Sequence, residues 1–452
     1  MKPDTDLPLT DYDQLLSPFR DVEKPREDWR IGPEAEKFGV HASTGEALAY
    51  DGPHGVLRVL EALAREHDWA REREVADGPI ISLKRGFSSI TLEPGAQLEL
   101  SGAPADTVHE ICGAARGHMA ELRNISDEMS LVWLGVGFHP LATQESLPWV
   151  PKLRYAIMRE YLPTRGGRAL DMMRRTATVQ ANLDFSDEED AMRKLRVGLV
   201  LAPLINAMTA NSPFLEGRIS GKKSLRGEVW LDMDPDRSGL LPELCRRERL
   251  GYRDYADWAL DVPMFLVKRE GRVIPNTRQT FREFWQHGCE GHRATVADWK
   301  LHLNTLFPEA RLKNTLEFRA CDSLPTDLAC SVPALFAGLM YDETALAEAE
   351  QLAHGLDLDA ISRARPALVT HALSADIEGQ PVRALAERIL EIAIGGLRRR
   401  SRLDGRGQDE SIHLAELGKL VERGLCPADR LLEGLDPGDR DLRSEILART
   451  RI

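Results

Sequence analysis

The sequence predicts an α+β fold: a largely antiparallel sheet with helices on its apolar side, followed by a helical C-terminal region. Three observations carry this expectation. Short segments alternate apolar and polar residues with a period of two, glutamates recur on the polar phase of those segments, and beyond Met340 the apolar spacing turns helical.

Residues 1–28 are polar with an irregular apolar pattern and read as a leading arm or helix. Residues 29–340 form the expected main domain, in which strands and amphipathic helices mix. Glu34 and Glu36 are two residues apart, so on a strand both point to one side. In Leu92 to Ser101, read as one strand, Leu92, Leu98 and Leu100 oppose Glu93, Gln97, Glu99 and Ser101. In Thr178 to Phe185, Val179, Ala181, Leu183 and Phe185 oppose Thr178, Gln180, Asn182 and Asp184. In Thr315 to Cys321, Leu316, Phe318 and Ala320 oppose Thr315, Glu317, Arg319 and Cys321. One greasy and one polar face per strand fits an antiparallel sheet backed by helices. Residues 341–452 form the expected helical layer, clearest where Val382, Leu385, Ile389 and Ile392 share a face.

Composition narrows the function. Hydrophobic residues make up 42% and charged residues 29% of the 452, as in a soluble globular protein. A net charge of −13, from 72 acidic and 59 basic residues, repels phosphate backbones and argues against a nucleic-acid partner. No stretch approaches the roughly 20 apolar residues of a membrane span, so no membrane partner is expected. The acidic N-terminus lacks an apolar signal core, and the expected location is cytoplasmic. The six cysteines are scattered without a C-x-x-C pair, so free thiols are expected rather than a disulfide framework.

The polar face of the sheet is the candidate site. Alternation alone favours a solvated face. Composition argues for more, because glutamate is a poor strand former and like charges on one face repel. Hard cations such as magnesium would relieve that repulsion and leave room for phosphates. A purely structural solution needs paired arginines, and Arg319 is the one expected on that face.

Other motifs fail. Gly217 to Ser224 resembles a phosphate loop but is one residue short between its glycines, and reads as a flexible basic loop. Asp232-Met-Asp234-Pro-Asp236 resembles the start of a calcium loop, yet Arg237 replaces the required glycine, leaving a solvated acidic turn.

In order along the chain stand Trp29-Arg-Ile-Gly-Pro-Glu-Ala-Glu-Lys-Phe38, Ile81-Ser-Leu-Lys-Arg85, the Ile90 to Ala103 segment and Leu134-Gly-Val-Gly-Phe138. Met158-Arg-Glu-Tyr-Leu-Pro163, Leu170 to Phe185, Asn211-Ser-Pro-Phe214, Ala259 to Met264 and Arg311 to Asp322 follow. Together they resemble the plant-type glutamate–cysteine ligase family, which also occurs in bacteria. The resemblance implies a glutamine-synthetase-like fold, with a curved sheet forming a funnel-like site in a catalytic domain at 29–340. It implies ATP-dependent joining of glutamate to cysteine through γ-glutamyl phosphate, the opening step of glutathione synthesis, with two or more magnesium ions. On this chain the implied metal ligands are Glu34, Glu36, Glu93, Glu99, Gln180 and Glu317. Arg319 and Arg226 are the implied catalytic residues, being suited to phosphate or carboxylate. Lys84, Asn182, Trp230 and Tyr155 are further substrate or nucleotide contacts. Plant members use cysteine pairs as redox switches, which are not expected here because Cys289 lacks a nearby partner in sequence. A ligase with another acceptor amine, and a non-catalytic binding relative, stay open, as does the choice between monomer and homodimer.

Overall fold

One long strand organises the fold, which is a computed structural model describing residues 7–75 and 77–452. That strand, β1 (Ile31–His41), is followed by β2 (Ala70–Glu72), β3 (Ser82–Arg85), β4 (Ser88–Leu92), β5 (Leu98–Ser101), β6 (Leu131–Leu134), β7 (Val179–Leu183), β8 (Ala310–Leu312) and β9 (Leu316–Phe318). They pair antiparallel in the order β8-β9-β7-β1-β5-β4-β3-β2, and β6 pairs with the second half of β1. The alternation read from the sequence is thus realised in the central strands.

The Leu92 to Ser101 segment is not one strand. It is the end of β4, a turn, and the whole of β5. The turn closes through Ala96 N–H donating to the Glu93 carbonyl at 2.9 Å and Glu93 N–H donating to the Gln97 carbonyl at 2.9 Å. Gly95 is required there because a Cβ would strike the Arg174 backbone. Gln97 is structural. Its amide accepts from Gly95 N–H and donates to the Met173 and Thr176 carbonyls.

Behind the sheet lie α1 (Glu188–Met208) and α2 (Ser331–Met340), both apolar enough to be almost wholly buried. Phe318 of β9 stacks on Phe336 of α2 with ring centroids 4.4 Å apart. In turn α2 packs against α3 (Val382–Arg400), where a Cβ on Gly396 would strike the Gly338 carbonyl, so two small residues permit close backbone approach. The region after Met340 is helical apart from a small hairpin, Asp376–Ile377 with Gln380–Pro381. One apolar core runs from Leu9 to Ala428. At the other end of the chain, a helix at Asp13–Arg20 buries Leu15, Leu16 and Phe19. Residues 1–6 of the expected arm, and the same part of the acidic N-terminus, lie outside the described residues.

Three expectations need correction. Cys112 and Cys330 form a disulfide across a sequence separation of 218 residues, so not all six thiols are free. Gly217 to Ser224 is no loose loop. It holds a tight hairpin, and Lys222 and Lys223 pair with Glu228 and Asp429 at 2.9 and 2.6 Å. Asp234 is not solvated but fully buried against Arg237, with Nε at 2.6 Å.

Phe318→Ala removes a stacked ring from behind the strand that carries Glu317. Urea unfolding is expected to read a loss of about 3–5 kcal/mol, and a loss below ~1 kcal/mol would contradict this packing.

Candidate functional site

The register of the sheet assembles the site. On one face, Glu36 of β1 stands directly opposite Glu99 of β5, which itself faces Thr91 of β4. One step along β1, Glu34 lies between Ser101 and Gln180. A further step on, Asn182 of β7 faces Glu317 of β9, and Glu317 faces Arg311 of β8. Glu93 reaches the same face from the turn after β4. Glu34, Glu36, Thr91, Glu93, Glu99, Gln180, Arg311 and Glu317 floor a cavity of about 470 Å³, within the range of small-molecule sites. Its walls include Lys152, Arg154 and Tyr155, then Arg226 and Trp230, then Phe307.

The acids are of two kinds. Glu317 is buried, yet Arg311, Lys313 and Arg319 hold it well below the usual carboxylate range. Arg311 binds it through two nitrogens at 2.7 to 3.0 Å, Lys313 Nζ lies at 2.6 Å, and Arg319 closes the cluster. Among the described residues, Glu36 and Glu99 have no cation in salt-bridge contact. Glu36 accepts one backbone N–H, from Thr178 at 3.0 Å, and Glu99 accepts the Ser101 hydroxyl at 2.7 Å. Burial, with Glu93 and Glu99 nearby, pushes Glu36 well above its ordinary range. Burial, with Glu34 and Glu93, pushes Glu99 up to about 8. Glu34, held by Asn182 Nδ2 at 3.0 Å, is raised by burial and by Glu317.

Lys152 in the wall is shifted in the opposite sense. Burial depresses Lys152 to about 8, although Glu93 opposes it, and its ammonium donates to the Leu92 carbonyl at 2.6 Å. Arg226 is buried without a carboxylate partner and donates to the Ala320 and Arg319 carbonyls at 3.1 and 2.7 Å. Two buried donors in the lining, Arg154 Nε and Trp230 Nε1, find no partner among the described residues. Buried donors left unsatisfied are uncommon and point to an external acceptor.

The sequence model described as Glutamate-cysteine ligase family 2 (GCS2) matches residues 30–446. The chain belongs to this family. Chloroplastic glutamate–cysteine ligase B of Oryza sativa subsp. japonica is 41% identical over 428 residues, covering 94% of this chain and 84% of that protein. The chloroplastic enzyme of Arabidopsis thaliana is 39% identical over 429 residues, covering 94% and 80%. Among solved structures, glutamate–cysteine ligase of Francisella tularensis, in complex with AMP, superposes with a TM-score of 0.56 at 13% identity, over 93% of this chain and 87% of that one. This likeness bears out the fold class expected from the sequence.

Within this family's frame, the cavity gathers Glu34, Glu36, Glu93, Glu99, Gln180, Glu317, Arg226, Arg319, Trp230 and Tyr155. Asn182 lies beside the cavity and orients Glu34. Lys84 is exposed on β3 and does not line it. Gln180 Oε1 accepts from Arg319 at 3.1 Å, and the Tyr155 hydroxyl donates to the Leu92 carbonyl at 3.0 Å. Arg319 does not stand alone against the acids, as expected, but shares Glu317 with Arg311 and Lys313. That cluster was foreshadowed by the two-residue spacing of 311 with 313 and 317 with 319. Lys152 and Arg154 stand outside the alternating segments, and no spacing marked them.

Magnesium fits the donor set of Glu34, Glu36, Glu93 and Glu99, which offers hard oxygens lacking a cationic partner in salt-bridge contact. Among the described residues, no three carboxylates converge within 4.8 Å of one another. That spread suits ions that retain waters and take one or two carboxylates each rather than an all-protein cage.

The two kinds of acid respond oppositely to neutralisation. With its carboxyl raised to about 8, Glu99 costs the fold stability as pH rises from the ordinary carboxylate range through that value. Without magnesium, Glu99→Gln is therefore expected to match the parent near about pH 5 and exceed it by about 1–2 kcal/mol near about pH 9. Glu317→Gln leaves three cations uncompensated and is expected to lose about 3–5 kcal/mol. Equal responses in denaturant unfolding would contradict the division.

Proposed function

We infer that this chain is an ATP-dependent ligase that joins the γ-carboxylate of glutamate to the amine of cysteine, with magnesium held on the acidic row. The carrying observation is the pair of directly opposed, uncompensated acids, Glu36 and Glu99, flooring a cavity whose walls are cationic. About 40% identity to named glutamate–cysteine ligases supports the substrates. The AMP complex of the Francisella relative supports a nucleotide site on this fold.

The chemistry follows from phosphoryl transfer, which asks for positioning and charge neutralisation more than for a protein nucleophile. The glutamate γ-carboxylate oxygen attacks the γ-phosphorus of ATP, the bond to ADP breaks, and γ-glutamyl phosphate forms. The cysteine amine then attacks the activated carbonyl, phosphate leaves, and the amine loses a proton. The product, γ-glutamylcysteine, is the precursor of glutathione.

Arg226 and Arg319 serve as the catalytic cations. Both guanidiniums line the cavity, and their planar forks suit a phosphoryl or carboxylate group. Glu317, with Arg311 and Lys313, anchors Arg319. Arg154 Nε and Trp230 Nε1 are free donors for substrate oxygens, and Tyr155 shapes the wall between Lys152 and Arg154. Glu34, Glu36, Glu93 and Glu99, with Gln180 and Glu317 at the edge of the row, would hold magnesium, which would supply neutralisation of the nucleotide phosphates.

Phosphate release from ATP, magnesium and glutamate, screened over a panel of amino acids and amines, tests the reading. Cysteine is expected to stimulate release most, and an equal or larger response to another amine would overturn it. Arg226→Lys keeps the charge but loses the fork. It is expected to lower kcat/KM by about 100-fold with little change in melting temperature, and near-parental turnover would remove Arg226 from the site.

A further inference from the structure

A second cluster of metal-binding side chains lies outside the cavity, where the C-terminal region meets the main sheet domain. Cys112 sits in the first turns of a helix at Val108–Met129, Cys330 immediately precedes α2, and His413 lies in the short turn Glu410–Leu414. One ligand atom from each of Cys112, Cys330 and His413 falls within 4.8 Å of the others. His413 Nδ1 is 3.6 Å from Cys112 Sγ.

The surroundings hold His413 in a ligand-ready state. His109 Nε2 contacts the Arg402 carbonyl at 3.3 Å, and a carbonyl can only accept. In that tautomer His109 Nδ1 is an acceptor for His413 Nε2–H at 2.9 Å. The remaining nitrogen, His413 Nδ1, therefore presents its lone pair toward the sulfur. This relay is the arrangement in which an outer partner fixes a metal-binding imidazole. The turn itself is rigidly placed, because buried Glu410 accepts from Val108 N–H at 2.7 Å and pairs with Arg400 at 3.1 Å.

We propose that, once the Cys112–Cys330 disulfide is reduced, Cys112, Cys330 and His413 bind one thiolate-seeking divalent cation of the zinc and cadmium class, with His109 as the outer partner. Two molecules of a monothiol break the S–S bond, are oxidised to their own disulfide and leave two cysteine thiols. Binding of the cation releases both thiol protons, and water completes a four-coordinate site. The site replaces a covalent link between the C-terminal turn's neighbours with a coordinate one.

Reduced full-length protein, freed of reductant without air, is titrated with Co2+ and then Zn2+. The expected result is a thiolate-to-cobalt charge-transfer absorption that saturates at one ion per chain, is bleached by Zn2+ and is missing from the oxidised protein. Cys330→Ser is expected to abolish it, and His109→Ala to weaken affinity by about tenfold or more, with circular dichroism reporting the fold of each. Should Cys330→Ser not fold, the parent suffices: Zn2+ is expected to slow alkylation of Cys330 but not of Cys289, read by peptide mass spectrometry. No absorption in the reduced parent, an absorption that survives in folded Cys330→Ser, or no protection of Cys330 would overturn the site.

Discussion

Two carboxylates, Glu36 and Glu99, stand opposite each other on adjacent central strands, where the pleat directs both to the same face. Antiparallel register leaves them no room to turn away, and the surrounding walls deny them bulk water. Their protons are correspondingly held tightly, Glu99 up to about 8. An arrangement that opposes its own folding makes physical sense where a cation completes it. The remainder of the architecture serves to keep these strands in register: α1 and α2 bury the far face, and β6 extends β1 beyond the site.

Glu317 shows the contrasting solution on the same sheet. Three cations surround it, and a well-paired buried acid of this kind organises its neighbours. The cluster fixes Arg319 and, through it, Gln180. The floor of the cavity thereby grades from uncompensated acids at β1 and β5 to a neutralised cluster at β8 and β9. Arg226 and Lys152 bring positive charge from outside the sheet. A polyanion with its counter-ions can lie across that gradient, with metal over the acids and guanidiniums over the transferred group.

Much of this was legible in the sequence, since period-two alternation exposes both the faces of strands and the residues on them. Glu34, Glu36, Gln180 and Glu317 were placed correctly on one face by spacing alone. Other features needed tertiary structure. Glu93 and Glu99 sit on opposite sides of a turn that Pro94 and Gly95 create, a break the apolar pattern did not reveal. Lys152 and Arg154 enter from a loop and a short helix whose docking no local pattern encodes. Cys112 and Cys330 meet only because helices far apart in sequence pack together, so their spacing carried no signal.

The central claim is that the acidic row stays partly protonated until a metal ion arrives. Calorimetric titration of magnesium into the nucleotide-bound protein, repeated at about pH 7.5 in buffers of different ionisation enthalpy, reads protons directly. The account predicts net release of at least about one proton per chain on binding, and a smaller release in Glu99→Gln. Proton-neutral binding to the parent protein would contradict it.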